Sequence, residues 1–308
     1  NATMKALRGW HPRTLRHVHC LRRLSSLAMN YRHRFHAGNF ADVLKHAVML
    51  GALDALKLKP APFAYLDTHA GSGVYALDAE AARKTSEFRG GIARVLDAGD
   101  LPPLLRRYLD AVRACDAGTP LTRYPGSPWL AWYALRTQDR ALLCELLPAE
   151  AVVLRSQFAG DARMHVHQRD GYAALAALLP PPEKRGLVLI DPPYEAQEDE
   201  FRSIRHGLEQ ALTRWPQAIY AVWYPIKLAR TREPFLRWLR TCAAQQVLVA
   251  ELAVRAENSP LRMNGCGVAL LNPPWKLDQA LSAALPVLAR LLGEDGQGDS
   301  RLQWLKRE

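Results

Sequence analysis

From Tyr31 onward, short apolar runs alternate with longer stretches of helical spacing, the pattern of an α/β protein. Residues 63–67, 142–145, 164–168, 186–191 and 218–224 read as five strands, with 247–254 and 267–272 as two late ones. The fourth is nearly all apolar, as strands are when a mostly parallel sheet is covered by helices on both faces. Asn39 is placed to cap a helix over residues 40–57, whose apolar side is Phe40, Val43, Leu44, Ala47, Leu50 and Ala55. Asp42, Lys45 and His46 follow at i, i+3 and i+4 and share another face. Asp67 and Glu145 lie 78 residues apart, whereas one strand-to-strand step of a nucleotide-binding unit takes roughly 20–30. The excess, near residues 76–125, is expected to form an inserted helical subdomain with helices over 77–83, 91–96 and 104–115.

Composition narrows the class. The 308 residues are 49% hydrophobic and 23% charged, which excludes disorder over most of the length and fits one large domain carrying an insertion. No apolar run nears the ~18 residues of a membrane helix. Five cysteines lie scattered with no C-x-x-C, against a disulfide framework or zinc ribbon and in keeping with a reducing cytoplasm. The net charge of +11 favours a polyanionic partner, but residues 1–28 hold six basic residues and no acid, leaving +5 for the remainder. That segment is expected to be a basic extension, disordered or derived from upstream or cloning sequence, with Met29 a natural start and 29–308 the folded domain. His17, His19 and Cys20 lack a fourth ligand, and His33 and His36 lack a nearby acid or cysteine, so no metal is expected.

The sharpest chemical signal is Leu189-Ile-Asp191-Pro192-Pro193-Tyr194, an apolar strand running into an acid, two prolines and an aromatic. The prolines remove two N–H donors and fix rigid carbonyls beside the Asp191 carboxylate, at the strand end where open α/β sheets bind ligands. Such a corner accepts two hydrogen bonds from an exocyclic amine while Tyr194 stacks on a flat ring. An adenine N6 amine is a poor nucleophile, because its lone pair is delocalised. Accepting both hydrogens holds the nitrogen near tetrahedral, aims the lone pair and stabilises the developing positive charge. Ala269-Leu-Leu-Asn272-Pro273-Pro274-Trp275 offers similar chemistry, but Asn272 ends the last strand, far in chain order from the ligand crevice, and reads as a structural turn.

The methyl donor is expected at the first strand. Asp67-Thr-His69-Ala-Gly71-Ser-Gly73 is an acid followed by a glycine loop that admits a nucleoside, and the absence of a full G-x-G-x-x-G argues against a dinucleotide. Glu145 ends the second strand, where a carboxylate takes ribose hydroxyls, and Asp170-Gly171 ends the third, where an acid meets an adenine amine. Acids at three successive strand ends ahead of the proline corner point to S-adenosyl-L-methionine. Ser127, before Pro128, reads either as a helix N-cap or as part of a helix N-terminus holding a carboxylate.

Five segments then match one family in order. They are Tyr31-Arg-His33-Arg-Phe-His-Ala-Gly-Asn39-Phe-Ala-Asp-Val-Leu-Lys45-His46, Tyr65-Leu-Asp-Thr-His69-Ala-Gly-Ser-Gly73, Tyr124-Pro-Gly-Ser127-Pro, Leu189-Ile-Asp-Pro-Pro-Tyr194-Glu and Asn272-Pro-Pro-Trp-Lys276. Over residues 29–308 the chain resembles the RlmJ family, bacterial methyltransferases acting on N6 of an adenine in 23S ribosomal RNA. The resemblance implies a class I, Rossmann-like S-adenosylmethionine-dependent methyltransferase fold with an inserted helical subdomain. It implies cofactor contacts at His46, His69, Ser127, Glu145, Asp170 and Gly171, the catalytic acceptor at Asp191, and Tyr31, His33 and Lys45 near the target adenine. It further implies naked 23S RNA rather than assembled ribosomes as the substrate, and the protein is expected to act as a monomer. Residues 1–28 have no counterpart in the family, and Phe40 stands where it has histidine.

The expected function is therefore transfer of a methyl group from S-adenosylmethionine to adenine N6, with the base extruded from its stack to reach Asp191. Lys227, Arg230 and Arg232 are candidate RNA contacts. Adenine in DNA or another RNA, or a protein glutamine amide, presents the same amine, although glutamine-directed enzymes usually carry Asn where this chain has Asp191. A non-catalytic RNA-binding protein on the same scaffold would bind RNA yet turn over no cofactor.

Overall fold

The structure is a computed structural model that describes residues 33–256, 259 and 263–307. Tyr31, the basic segment 1–28 and Cys20 lie outside the described residues. After a short 3-10 turn at His33–Phe35 comes α1 (Phe40–Lys57). The Asn39 side chain caps it, accepting from the N–H groups of Ala41 and Asp42 at 3.0 and 3.1 Å. Most of α1 is buried, its polar residues Asp42, Lys45 and His46 included.

The sheet begins at β1 (Ala64–Asp67). A small hairpin pairs β2 (Val74–Ala76) with β3 (Arg123–Pro125). Between its strands run α2 (Glu80–Thr85), α3 (Glu87–Gly90), α4 (Ile92–Leu96) and α5 (Pro103–Cys115). Ile92, Val95, Leu104, Leu105 and Tyr108 share one hydrophobic core with α1 and one face of the sheet. Gly51 in α1 makes room for this packing, since a Cβ there would lie 2.7 Å from a Leu277 methyl and 2.9 Å from a Leu104 methyl.

The remaining elements alternate: α6 (Ser127–Ala134), β4 (Arg140–Glu145), α7 (Pro148–Gln157), β5 (Met164–Gln168), α8 (Gly171–Leu178), β6 (Gly186–Ile190), α9 (Gln197–Arg214), β7 (Ile219–Ile226) and α10 (Ala229–Thr241). They are followed by β8 (Val247–Ala253), β9 (Gly265–Leu271), α11 (Leu277–Leu292) and β10 (Asp299–Lys306). The strand order is β10-β8-β9-β7-β6-β1-β4-β5. β5, β4, β1, β6 and β7 run parallel, while β9 is antiparallel to both β7 and β8, and β10 is antiparallel to β8. A second core, including Val188, Ile190, Ile204, Leu208 and Trp215, covers the other face.

The winding reverses between β1 and β6, where Asp67 stands beside Leu189 in register. Ligands bind in open α/β sheets at such a reversal, beyond the carboxyl ends of the strands. Strand direction places the second proline pair elsewhere. β9 is antiparallel and Leu271 pairs with Tyr220 near the start of β7, so Asn272 emerges at the opposite edge of the sheet from Asp191. There Asn272, at φ +53°, donates to the carbonyls of Pro216 and Ala218 and accepts from Gln245 N–H.

Candidate active site

The residues beyond β6 form the corner that the sequence singles out. β6 is buried throughout, and the Asp191 side chain emerges from it 17% exposed. Tyr194 differs from the sequence expectation. It is 5% exposed, sits at φ +49°, donates its hydroxyl to the Trp223 carbonyl at 2.7 Å and meets Phe201 and Trp223 edge-on. Enclosed in this way, the ring has no open face on which a base could stack, and it serves instead as the wedge that anchors the proline corner.

The N-terminal half of α1 reaches this corner. Lys45, 5% exposed, places Nζ 2.5 Å from Asp191 Oδ2 and 2.8 Å from Asp42 Oδ1. Burial alone would lower the ammonium's pKa, but the carboxylates of Asp191 and Asp42 outweigh it and raise the pKa well above the ordinary lysine value. Asp42 also contacts His33 Nε2 at 3.0 Å and accepts from the Gly38 N–H at 2.9 Å. Burial pushes the Asp42 carboxyl up, yet the neighbouring His33, Lys45 and His46 hold it well below the usual carboxylate range. The His33 ring also meets Tyr75 edge-on. His46 is enclosed at 1% exposure, with Nδ1 2.8 Å from the Tyr124 hydroxyl, and its burial lowers its pKa well below the ordinary value.

The tip of β1 faces the same crevice. Asp67 is fully buried, and burial raises its pKa to about 6 against hydrogen bonds from Ser127 and Tyr65. Gly71 and Gly73 adopt φ +64° and +88°, the left-handed region that only glycine enters without strain. The Gly71 N–H donates to Glu145 Oε2 at 2.8 Å, tying the loop to the end of β4, while Leu147 N–H donates to Oε1 at 2.7 Å. Burial raises the Glu145 pKa. His69 accepts or donates at Thr68 Oγ1 over 2.8 Å, and burial depresses its pKa to about 4. Asp170 caps α8 through Oδ1, which accepts from Ala173 N–H at 2.8 Å.

Most of the side chains singled out in the sequence therefore gather around two points, the α1–Asp191 network and the β1–β4–β5 strand tips. Ser127 is not the N-cap. Gly126 holds that place because its N–H bonds the Gly73 carbonyl at 2.7 Å and shifts the helix start by one residue. The Ser127 hydroxyl turns inward to Asp67. Arg232 leaves the group of candidate RNA contacts, since it is 6% exposed and ion-paired with Glu251 at 2.8 Å, whereas Lys227 and Arg230 are exposed. Sequence reasoning placed Asp42 on the right helix face without giving it a role. The i, i+3 spacing to Lys45 was the available signal. Among the described residues, no three His, Cys, Asp or Glu side chains converge as a metal site, and no helix is long and apolar enough to cross a membrane.

A doubly wound sheet reversing at β1 and β6, with an antiparallel strand slipped in beside its last parallel member, is the class I methyltransferase fold. The family follows from comparison. Residues 60–306 match the family described as ribosomal RNA large subunit methyltransferase D, RlmJ. The chain is 41% identical over 280 residues to ribosomal RNA large subunit methyltransferase J of Escherichia coli (strain K12), spanning 91% of this chain and 100% of that protein. It is 40% identical over 281 residues to the protein of the same name from Haemophilus influenzae, with the same coverage. Protein LPL1258 of Legionella pneumophila superposes with a TM-score of 0.80 at 36% identity, covering 87% of this chain and 97% of that one. The chain belongs to the RlmJ family.

Proposed function

We propose that the protein transfers a methyl group from S-adenosylmethionine to the exocyclic N6 amine of an adenine in 23S ribosomal RNA. The observation that carries this reading is the Asp191 carboxylate, set at the sheet's reversal point beside the Asp67–Gly73 loop and fixed by Lys45. The residues present fit the cofactor. The glycine loop is bonded back onto Glu145, a carboxylate retains lone pairs beyond the two bonds Glu145 accepts, and Leu146 exposes apolar surface next to it. Asp170 keeps one oxygen clear of its capping bond. When bound, the cofactor supplies an electrophilic methyl on a sulfonium.

Glu145, Asp170, Gly171, Gly71 and His69 would hold that nucleoside. Ser127, already bonded to Asp67, would brace the same loop from within, and His46, bonded to Tyr124, would back the β2–β3 hairpin that follows it. Asp191 Oδ1 and the Pro192 carbonyl accept the two amine hydrogens, which directs the nitrogen lone pair and stabilises the charge that develops on it. His69, neutral at physiological pH, adds no positive charge to oppose the sulfonium. His33 would lie near the extruded base, which must leave its stack to enter the crevice. The exposed Lys227 and Arg230, just past β7, are candidate phosphate contacts. The reading includes action as a monomer, in the cytoplasm, on free rRNA rather than on assembled ribosomes.

The test is methyl transfer from labelled S-adenosylmethionine to unmodified 23S RNA, followed by digestion to nucleosides. Label in N6-methyladenosine at one mapped position is the expected result. Label on DNA adenine alone, or RNA binding without turnover, would refute the assignment.

A further inference from the structure

The Asp42 carboxylate has no part in the chemistry described so far, yet it is 2% exposed and touches three of the side chains around Asp191. Oδ2 accepts from the Gly38 backbone N–H at 2.9 Å and contacts His33 Nε2 at 3.0 Å. Oδ1 lies 2.8 Å from Lys45 Nζ and 3.9 Å from His46 Nε2. Lys45 is thereby held from two sides, one ammonium between the carboxylates of Asp42 and Asp191. An ammonium on a flexible four-carbon stem rotates freely about a single partner, and a second partner opposite fixes it. The consequence appears at Asp191. Its Oδ2 is committed to Lys45, so the plane of the carboxylate is set, and Oδ1 has no partner among the described residues.

We propose that Asp42 is a positioning residue, anchoring Lys45 and His33 so that Asp191 presents a single oxygen, Oδ1, to the target amine. This rests on the reading of Asp191 as the amine's acceptor. A competing role for Asp42 is purely local. It lies in the first turn of α1 and accepts the Gly38 N–H, as any helix-starting acceptor would. The two roles separate in Asp42→Asn, whose amide oxygen still accepts from Gly38 but carries no charge to hold the ammonium.

The experiment uses the full-length protein, a 23S RNA transcript and labelled S-adenosylmethionine in single-turnover assays. For Asp42→Asn, the expected result is a rate lowered roughly 10²-fold with cofactor affinity unchanged, the scale of loss that a misplaced reacting group produces. Asp42→Glu, which restores the charge, recovers part of that rate. Independently of activity, the Lys45 side-chain NMR titration moves to lower pH in Asp42→Asn and stays near wild type in Asp42→Glu. A wild-type rate in Asp42→Asn overturns the proposal, and so does an unmoved Lys45 titration. Wild-type enzyme that leaves 23S RNA unmethylated overturns the functional reading instead, and the titration still decides whether Asp42 holds Lys45.

Discussion

Lys45 Nζ and Asp191 Oδ2 stand 2.5 Å apart although 146 residues separate them in the chain. α1 ends near the start of β1 and so carries its first turns up to the carboxyl end of the sheet, where β6 delivers Asp191. Because Asp42 shares the same ammonium, Lys45→Met leaves two carboxylates facing each other with no cation between them. The expected cost near neutral pH is about 3–5 kcal/mol, that of breaking a buried ion pair from one side. The sign with pH follows from Asp42. Its folded pKa lies well below the ordinary value, so in wild type its stabilisation is present above that value and is lost as pH falls through the lowered one. The gap between wild type and Lys45→Met should therefore narrow toward acid pH, because losing the ammonium lets burial raise the Asp42 carboxyl and the variant protonates it before the wild type does. Denaturant melts across that range check it.

The two proline pairs should part cleanly. Asp191→Ala is expected to lower transfer by orders of magnitude while cofactor affinity stays near wild type, because it removes the amine's acceptor and leaves the glycine loop alone. Asn272→Ala should leave the transfer rate close to wild type but lose stability, since the side chain makes three hydrogen bonds to backbone groups and the residue sits at φ +53°. About 1–3 kcal/mol is expected for the stranded groups. Rates and denaturation midpoints measured on both variants decide the matter.

The buried Asp67 supplies a pH signature for the cofactor. Its pKa is raised to about 6, so it charges across a range in which free aspartate is already ionised. A cationic sulfonium favours the charged form, whereas the neutral thioether of S-adenosylhomocysteine does not. Affinity for S-adenosylmethionine should thus fall as pH drops through that midpoint, by at most about tenfold per pH unit for one proton. Affinity for S-adenosylhomocysteine should change less. Calorimetric titrations of both ligands over the same range test it, and parallel pH profiles would refute a role for Asp67.

Local pattern carried much of this architecture. The helix of residues 40–57 is visible because its cap, apolar face and polar face are all encoded within one stretch, β1 and β6 because each is an apolar run ended by an acid, and β5 because Met164-His-Val-His-Gln168 alternates apolar and polar residues. What escaped depends on distant partners. β10 mixes Arg301, Gln303 and Lys306 with apolar residues and becomes a strand only by pairing with β8. The β2–β3 hairpin pairs residues 51 apart, Val74 with Pro125. Tyr194 follows the same logic. Its position after two prolines suggests an exposed stacking ring, and only the placement of Phe201 and Trp223 on following elements reveals that the ring is enclosed.

Gly171 offers a test of how tightly the strand tips must close. A Cβ there would lie 2.1 Å from the Thr68 carbonyl oxygen and 2.8 Å from its carbon, backbone atoms that cannot rotate away. Thr68 in turn bonds the Leu189 carbonyl through its N–H at 3.1 Å and its hydroxyl at 3.0 Å, so any displacement passes to the strand that carries Asp191. Alanine in a helical turn gains about 0.5–1 kcal/mol over glycine. The overpacking penalty of about 1–3 kcal/mol exceeds this gain. Gly171→Ala is therefore expected to be destabilised and to bind S-adenosylmethionine more weakly. Gly90→Ala, where an added Cβ meets nothing within 4 Å, should be neutral or slightly stabilising and serves as the control. Equal stability and equal cofactor affinity in the two variants would show that the β1 tip tolerates widening, and that the crevice is set by something other than this contact.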